Sequence, residues 1–481
     1  MSRGRLVVHG HFYQPSRADP FSGQVPADPS AAPSHDWTAR VSAECYRPNA
    51  EIGNLGRMSW DLGPTLASWL HDSDPIAYRG FVAGDGGVNG LAQPFHHTIL
   101  PLASAADRRV EIRWGLRDFE WRFGRPAVGM WLPEGAVDLA TLRLLAEHGI
   151  RHTILAPWQA GEPHVETRRP YRVELGEERS IVVALYDGDL SGAISFEPMA
   201  TADADRFAQE GIEPRLTSGS LPDDEPPLVV IATDGELYGH HQPFRELFVQ
   251  RLVQPSPDGT ARGFDVVPLA VALAEPPGRP FRAIQIAERT SWSCHHGILR
   301  WSGECPCATD GRWRGPLRAA LERLAAGIDV ITSQVAAGLA GSPDPWAARD
   351  AYVDVVIGAE DGATFAARWL GGTAAGRAAA PRTAAPVSDV AVFLAVMEAQ
   401  RWRLAMFASD GWFWDDPARP ETAGVLRAAA RAARLVDGLV PSDLERRLVA
   451  DLALFTSPGH QIDGAEIYRR ALVAVGQPDY R

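Results

Sequence analysis

The stretch Gly129-Met130-Trp131-Leu132-Pro133-Glu134, followed by Gly135-Ala136-Val137-Asp138 and then by a helical pattern, decides how the chain is read. A short extended run ends in an aromatic residue, a proline and a carboxylate, and a helix begins a few residues later. Parallel α/β barrels present their working side chains at such strand ends. A second example stands further along: the apolar run Val229-Val230-Ile231-Ala232 meets Thr233-Asp234-Gly235-Glu236, then Leu237-Tyr238-Gly239-His240-His241. Two carboxylates on different strands are thereby set at one end of a parallel sheet.

Outward from these two stretches the same texture repeats. Arg5–Val8 reads as a first buried strand and ends in His9-Gly10-His11-Phe12-Tyr13-Gln14-Pro15, a crowd of polar and aromatic side chains. Met58–Leu62 reads as strand, and Pro64 is pre-set for the first turn of the helix after it. Gln93-Pro94-Phe95-His96-His97 is another polar cluster at an element boundary, and Arg109–Gly124 has helical spacing with a glycine stop. Val137–Gly149 reads as an amphipathic helix, Arg151–Leu155 as the next strand, Ser180–Leu185 as another, and Phe244–Val253 as a helix. Strand and helix alternating at this spacing imply a parallel sheet, and repeated polar strand ends favour a barrel. Beyond Gly315 the texture becomes helical, over 317–337, 346–357, 387–408 and 422–439, with an Ala/Gly/Pro/Arg-rich linker at 371–386. A catalytic α/β barrel over 1–310 and a mainly helical domain over 311–481 are expected. The helical part carries Ser409-Asp410-Gly411-Trp412-Phe413-Trp414, an acid-flanked aromatic turn that looks like poor core material and suits a ligand contact.

The totals narrow the function. A net charge of −13 offers no basic surplus to displace counterions from phosphates, so nucleic acid is not an expected partner. All 47 basic residues are arginine, which excludes Schiff-base lysine chemistry and a lysine-bearing phosphate loop. Four cysteines are too few for a disulfide scaffold. The N-terminal residues enter a strand directly, without an apolar segment or cleavage site, and no run approaches a membrane helix. A cytoplasmic protein that neither enters nor binds a membrane is expected, with its oligomeric state open.

The set His9/His11-x-x-Gln14-Pro15, Trp131-Leu132-Pro133-Glu134, Thr233-Asp234-Gly235-Glu236-x-x-Gly239 and Ser409-Asp410-Gly411-Trp412-Phe413 resembles glycoside hydrolase family 57, in particular a bacterial subgroup with a C-terminal domain of unknown function. The resemblance runs over nearly the whole chain, in order. It implies an incomplete (β/α)7 barrel, a helical domain completing the cleft, and retaining α-glucan chemistry without metal or organic cofactor. Position by position, it makes Glu134 the nucleophile and Asp234 the general acid/base. His11 and Gln14-Pro15 match the motif lining the sugar subsite, and His9 stands beside them. His97 sits where a second-motif histidine falls, with Asn89-Gly90-Leu91-Ala92 in place of the expected glutamate. Asp410 and Trp412 match the last motif with a glycine inserted.

Retaining chemistry asks one carboxylate to attack the anomeric carbon while the other, with a raised pKa, protonates the leaving oxygen. Glu236 and His240 or His241 are placed to tune or orient Asp234, Trp131 is a substrate-binding candidate, and Trp292 and Trp301 offer flat faces for sugar rings. Cys294-His295-His296 with Cys305-Pro306-Cys307 could hold zinc or exchange redox equivalents, but C-x-C is tighter than the usual knuckle, so structural thiols are the reading and no metal is expected. The leading expectation is an α-glucan-active amylase, 4-α-glucanotransferase or branching enzyme with an oligo- or polysaccharide substrate. Two alternatives stand beside it. One is a catalytically weak carbohydrate-binding or regulatory protein on the same barrel. The other, a metal-dependent polysaccharide deacetylase, needs an Asp with paired His on an accessible face, whereas His148 and His152 fall at a helix-to-strand turn.

Overall fold

The computed structural model describes residues 4–217, 221, 225–254, 263–276, 278–371 and 388–473; the linker expected over 371–386 lies, apart from Gly371, outside them. The backbone falls into two compact units. The first holds residues 1–14, 27–95 and 119–297, and the second 15–26, 96–118 and 298–481.

Among the described residues the first unit has eight strands: β1 (Gly4–Phe12), β2 (Ser59–Leu62), β3 (Gly90–Leu91), β4 (His152–Leu155), β5 (Tyr171–Gly176), β6 (Arg179–Leu185), β7 (Leu228–Asp234) and β8 (Phe264–Val266). β1 pairs in parallel with β7 along one side; on the other it pairs with β8 at its start and β2 at its end. β2 continues in parallel to β3, and β4 to β6. The extended segment 128–131 joins these two groups. Trp131 N–H donates to Ala92 O (2.8 Å) on one side, and Met130 N–H to His152 O (3.2 Å) on the other. Between β6 and β7 the contact thins to Asp187 N–H donating to Val230 O (2.7 Å) and Ala232 N–H donating to the Ser191 hydroxyl (3.2 Å). The result is an incomplete barrel of seven staves, β1–β2–β3–(128–131)–β4–β6–β7, with its weak seam between the last two. β5 lies outside the ring as an antiparallel partner of β6.

The period-2 alternation of the strands sorts their side chains into two layers. Leu6, Val8 and Phe12 of β1, Trp60 and Leu62 of β2, and Val229 and Ile231 of β7 pack outward into one apolar cluster. Val7, Leu91, Ile154, Val182, Ala184, Val230 and Ala232 fill the barrel interior with Trp131. Along β1 the inward positions run Val7, His9, His11, and along β7 they run Val230, Ala232, Asp234. The interior is therefore apolar at the N-terminal end and polar at the C-terminal mouth.

The second unit is helical, led by Arg314–Ala337, Asp389–Ala405, Pro420–Asp437, Leu444–Leu452 and Gly464–Val473. Alanines at 428, 429, 430, 432 and 433 are buried along Pro420–Asp437 and allow close helix approach. This unit starts at 298 rather than 311 and takes in two earlier segments, because charged pairs tie them to it. Asp107 meets Arg349 (3.1 Å) and Arg403 (2.7 Å), and Arg403 also meets Asp329 (2.7 Å). Arg113 and Arg117 pair with Asp350 and Asp354. Phe21 lies against the guanidinium groups of Arg431 and Arg434. Among the described residues no helix is long and apolar enough to cross a membrane.

Candidate functional site

Register brings three chemistry-bearing residues onto one rung. His11 of β1 stands opposite Asp61 of β2 on one side and Asp234 of β7 on the other. All three alternate inward, so their side chains meet at the barrel mouth. Asp61 is fully buried and uses both oxygens: His9 Nε2 donates to one (2.8 Å), and His11 Nδ1 (2.8 Å) and the Gln93 amide donate to the other. Burial works against the carboxylate, but the His11 charge and these hydrogen bonds hold Asp61 below its ordinary pKa. For His11 burial opposes the charge, and Asp61, then Asp234 and Glu236, overcome it, raising the imidazole to about 9. His11 is therefore a cation at neutral pH. Trp131 stacks on both histidines, at 5.2 Å from His9 and 5.0 Å from His11.

Glu134 reaches this group through a strained turn. Its φ of 56° and ψ of 20° are left-handed, a conformation that costs a non-glycine residue about 1–3 kcal/mol. The segment 290–293 holds it there. Trp292 N–H donates to Glu134 O (2.9 Å), the Ser293 hydroxyl donates to Glu134 Oε2 (2.7 Å), and Val137 N–H donates to Thr290 O (3.0 Å). Gly135, also left-handed at φ 56°, lies so close to Trp292 that a Cβ would stand 2.9 Å from that residue. Trp292 in turn meets Trp131 edge-on at 4.8 Å and His11 at 6.2 Å. Glu134, Trp292, Trp131, His11 and Asp234 thus form one connected set.

Asp234 is open to solvent at the strand end, yet protein crowds its other sides. That desolvation pushes its carboxyl above the ordinary range; His11 and His241 draw it back and Asp61 adds to the rise. Glu236 is buried and accepts from the Tyr46 hydroxyl (2.6 Å) and Tyr13 N–H (3.3 Å). Burial, then the charge of Asp234, lifts Glu236 to about 7, against the Tyr46 hydrogen bond. The two carboxyls titrate as a pair, and its last proton is held up to near-neutral pH.

Most of the residues singled out from sequence meet here: His9, His11, Trp131, Glu134, Asp234, Glu236 and Trp292. Gln14 hydrogen-bonds Tyr46 and so backs Glu236. Of the adjacent histidines, His240 is taken by Glu44 (2.5 Å), and His241 is the one whose charge bears on Asp234. His97, Asp410 and Trp412 belong to the helical unit. There His97 Nδ1 pairs with the Ser409 hydroxyl (2.7 Å), and Asp410 opens a single helical turn. Trp412 is fully buried, its indole donating to Arg314 O (3.2 Å) and its face covered by Arg318. The expectation of an open aromatic turn fits Trp414, which is exposed, and not Trp412, which is core. Asp61, Gln93, Tyr46 and Ser293 were not foreseen. Asp61 did carry a signal, an acid near a strand end, whereas nothing in the sequence around Tyr46 marks it. The expected structural thiols divide between the units: Cys294 Sγ is 3.8 Å from His296 Nδ1 in the first, and Cys305 and Cys307 Sγ are 2.9 Å apart in the second.

The family model described as glycosyl hydrolase family 57 matches residues 63–256, and that of a domain of unknown function, DUF3536, matches 310–476. An alpha-amylase of Pyrococcus horikoshii is 26% identical over 226 residues, 45% of this chain and 34% of its own length, so the chain spans about a third of that relative. Among solved structures, an exo-type maltose-forming amylase from Pyrococcus sp. ST04 superposes with a TM-score of 0.74 at 15% identity, over 97% of this chain and 88% of its own. A branching enzyme from Thermococcus kodakaraensis does so at 0.60 and 14%, over 93% and 94%. A 4-alpha-glucanotransferase from Thermococcus litoralis does so at 0.54 and 16%, over 90% and 60%. At these identities the structural likeness is one of fold.

Proposed function

We propose, from the match of residues 63–256 to the model of glycosyl hydrolase family 57, that the protein cleaves or transfers α-glucosidic bonds with retention of configuration. Asp234 gives its proton to the glycosidic oxygen as the bond to the anomeric carbon breaks, and a Glu134 oxygen attacks that carbon from the opposite face. Asp234, now ionised, takes a proton from water or from an acceptor sugar hydroxyl, whose oxygen displaces Glu134. The single observation that carries this reading is the set joining Glu134 to Asp234 through Trp292, Trp131 and the His11 cation. Such a set offers a nucleophile, a proton held by desolvation, and flat apolar faces for a sugar ring. Retention requires the two carboxyls to work about 5–5.5 Å apart across the anomeric carbon. His9, Gln14 and Glu236 support the set from behind.

The test is incubation of the protein and its Glu134→Gln form with maltooligosaccharides and a soluble α-glucan, resolving products by length and linkage while counting new reducing ends. Shorter products with new reducing ends mean hydrolysis. Redistribution without net reducing ends means transfer, and new α-1,6 linkages mean branching. Each must vanish in Glu134→Gln. No change with either protein would refute the α-glucan assignment.

A further inference from the structure

Asp61 carries no role in any part of the reading above, yet its geometry is that of a built device. It stands on a four-residue strand, fully buried, and accepts from three side chains supplied by two other staves. His9 alone would satisfy one oxygen of a purely structural acid. The second oxygen is spent on His11, one position nearer the mouth on the same strand face, where the imidazole lies against Trp131 and next to Asp234. We propose that Asp61 is a positioning residue for Asp234, fixing the His11 ring between Asp61 and the Asp234/Glu236 pair. This rests on the two-carboxylate reading for its catalytic consequence, but not for its electrostatic one.

The groups facing His11 are Asp61 from β2, Asp234 and Glu236 from the end of β7, and His9 from its own strand; His241 also faces Asp234. The sign of the effect follows from these charges. The His11 cation stabilises ionised Asp234 and Glu236, whereas Asp61 itself opposes ionisation of Asp234 more weakly than His11 favours it. Asp61→Asn removes the anion that keeps His11 charged. His11 becomes neutral, and the Asp234/Glu236 pair holds its proton to higher pH.

Two readouts test this. In Asp61→Asn the alkaline limb of kcat/KM moves up by about one pH unit, and kcat falls on the order of 100-fold as the ring loses its fixed orientation, with KM changing less. Independently of activity, nitrogen-15 histidine spectra, with His11 assigned from His11→Gln, show an imidazolium at pH 8 in the wild-type protein and a neutral ring at pH 7.5 in Asp61→Asn. His11→Gln shows the same upward limb shift. A neutral His11 at pH 8 in the wild-type protein overturns the proposal, as does a folded Asp61→Asn with an unmoved limb and unmoved spectrum. If Asp61→Asn fails to fold, the wild-type titration and the His11→Gln limb decide. If no glycan is turned over, the spectra still decide, so failure of the activity and failure of this role are separable.

Discussion

Glu236→Gln makes the protein more stable at alkaline pH while leaving it almost unchanged in acid. Glu236 is buried, and its folded pKa is raised from 4.5 to about 7. The fold disfavours the ionised form, so this group's contribution to stability is fully present below its unfolded value near 4.5 and is lost as pH rises through about 7. At about 1.4 kcal/mol per unit, the loss amounts to about 3 kcal/mol. Glutamine keeps the shape and the oxygen that accepts from Tyr46, and carries no proton to lose. The difference in unfolding free energy between variant and wild type is therefore within about 1 kcal/mol at pH 4.5 and grows to about 3 kcal/mol in favour of the variant at pH 8. Denaturant unfolding of both proteins at the two pH values measures it. A difference that is equal at both, or a variant less stable at pH 8, would refute the claim that Glu236 is a desolvated acid held against its ionisation.

Three further predictions address the frame of the site and of the helical unit. Gly239→Ala puts a Cβ 2.3 Å from Glu44 O at a φ of 142°, and a loss of about 3 kcal/mol or more is expected in thermal or denaturant unfolding. Ala429→Leu forces a large side chain into a fully buried position on Pro420–Asp437 and costs about 1–3 kcal/mol, read the same way, without loss of the far-ultraviolet helical signal. In the wild-type protein the alkaline limb of kcat/KM lies near pH 7, set by the last proton of the Asp234/Glu236 pair; a limb near pH 4 would show that neither group is desolvated in solution.

Strand ends were legible because they are local: an apolar run followed by a polar turn with glycine or proline marks His11, Glu134 and Asp234 without reference to anything distant. Partners across strands were not. Asp61 lies in the short strand Ser59–Leu62, and its meaning comes only from register with His11. Tyr46 lies within a helical stretch that its own sequence, rich in alanine and polar residues, does not announce. The helical unit begins earlier than expected and draws in 15–26 and 96–118 because Asp107, Arg113, Arg117 and Phe21 find partners far along the chain. No local periodicity encodes that choice. Trp412 looked too polar in its surroundings for a core position, but Arg314 O takes its indole proton and Arg318 covers its ring, so burial leaves nothing unsatisfied. The left-handed backbone at Glu134 was equally invisible, since glutamate does not advertise it; the hydrogen bonds from Trp292 and Ser293 hold it there.

The central claim is that Glu134 attacks the anomeric carbon and Asp234 protonates the leaving group. The most direct measurement is the proton nuclear magnetic resonance spectrum of the sugar released in the first minutes of maltooligosaccharide turnover, before mutarotation, together with the same run on Glu134→Gln. The account predicts that the α-anomer forms first and that Glu134→Gln, folded as the wild type, releases none. A β-anomer formed first, or turnover that survives in Glu134→Gln, would contradict it.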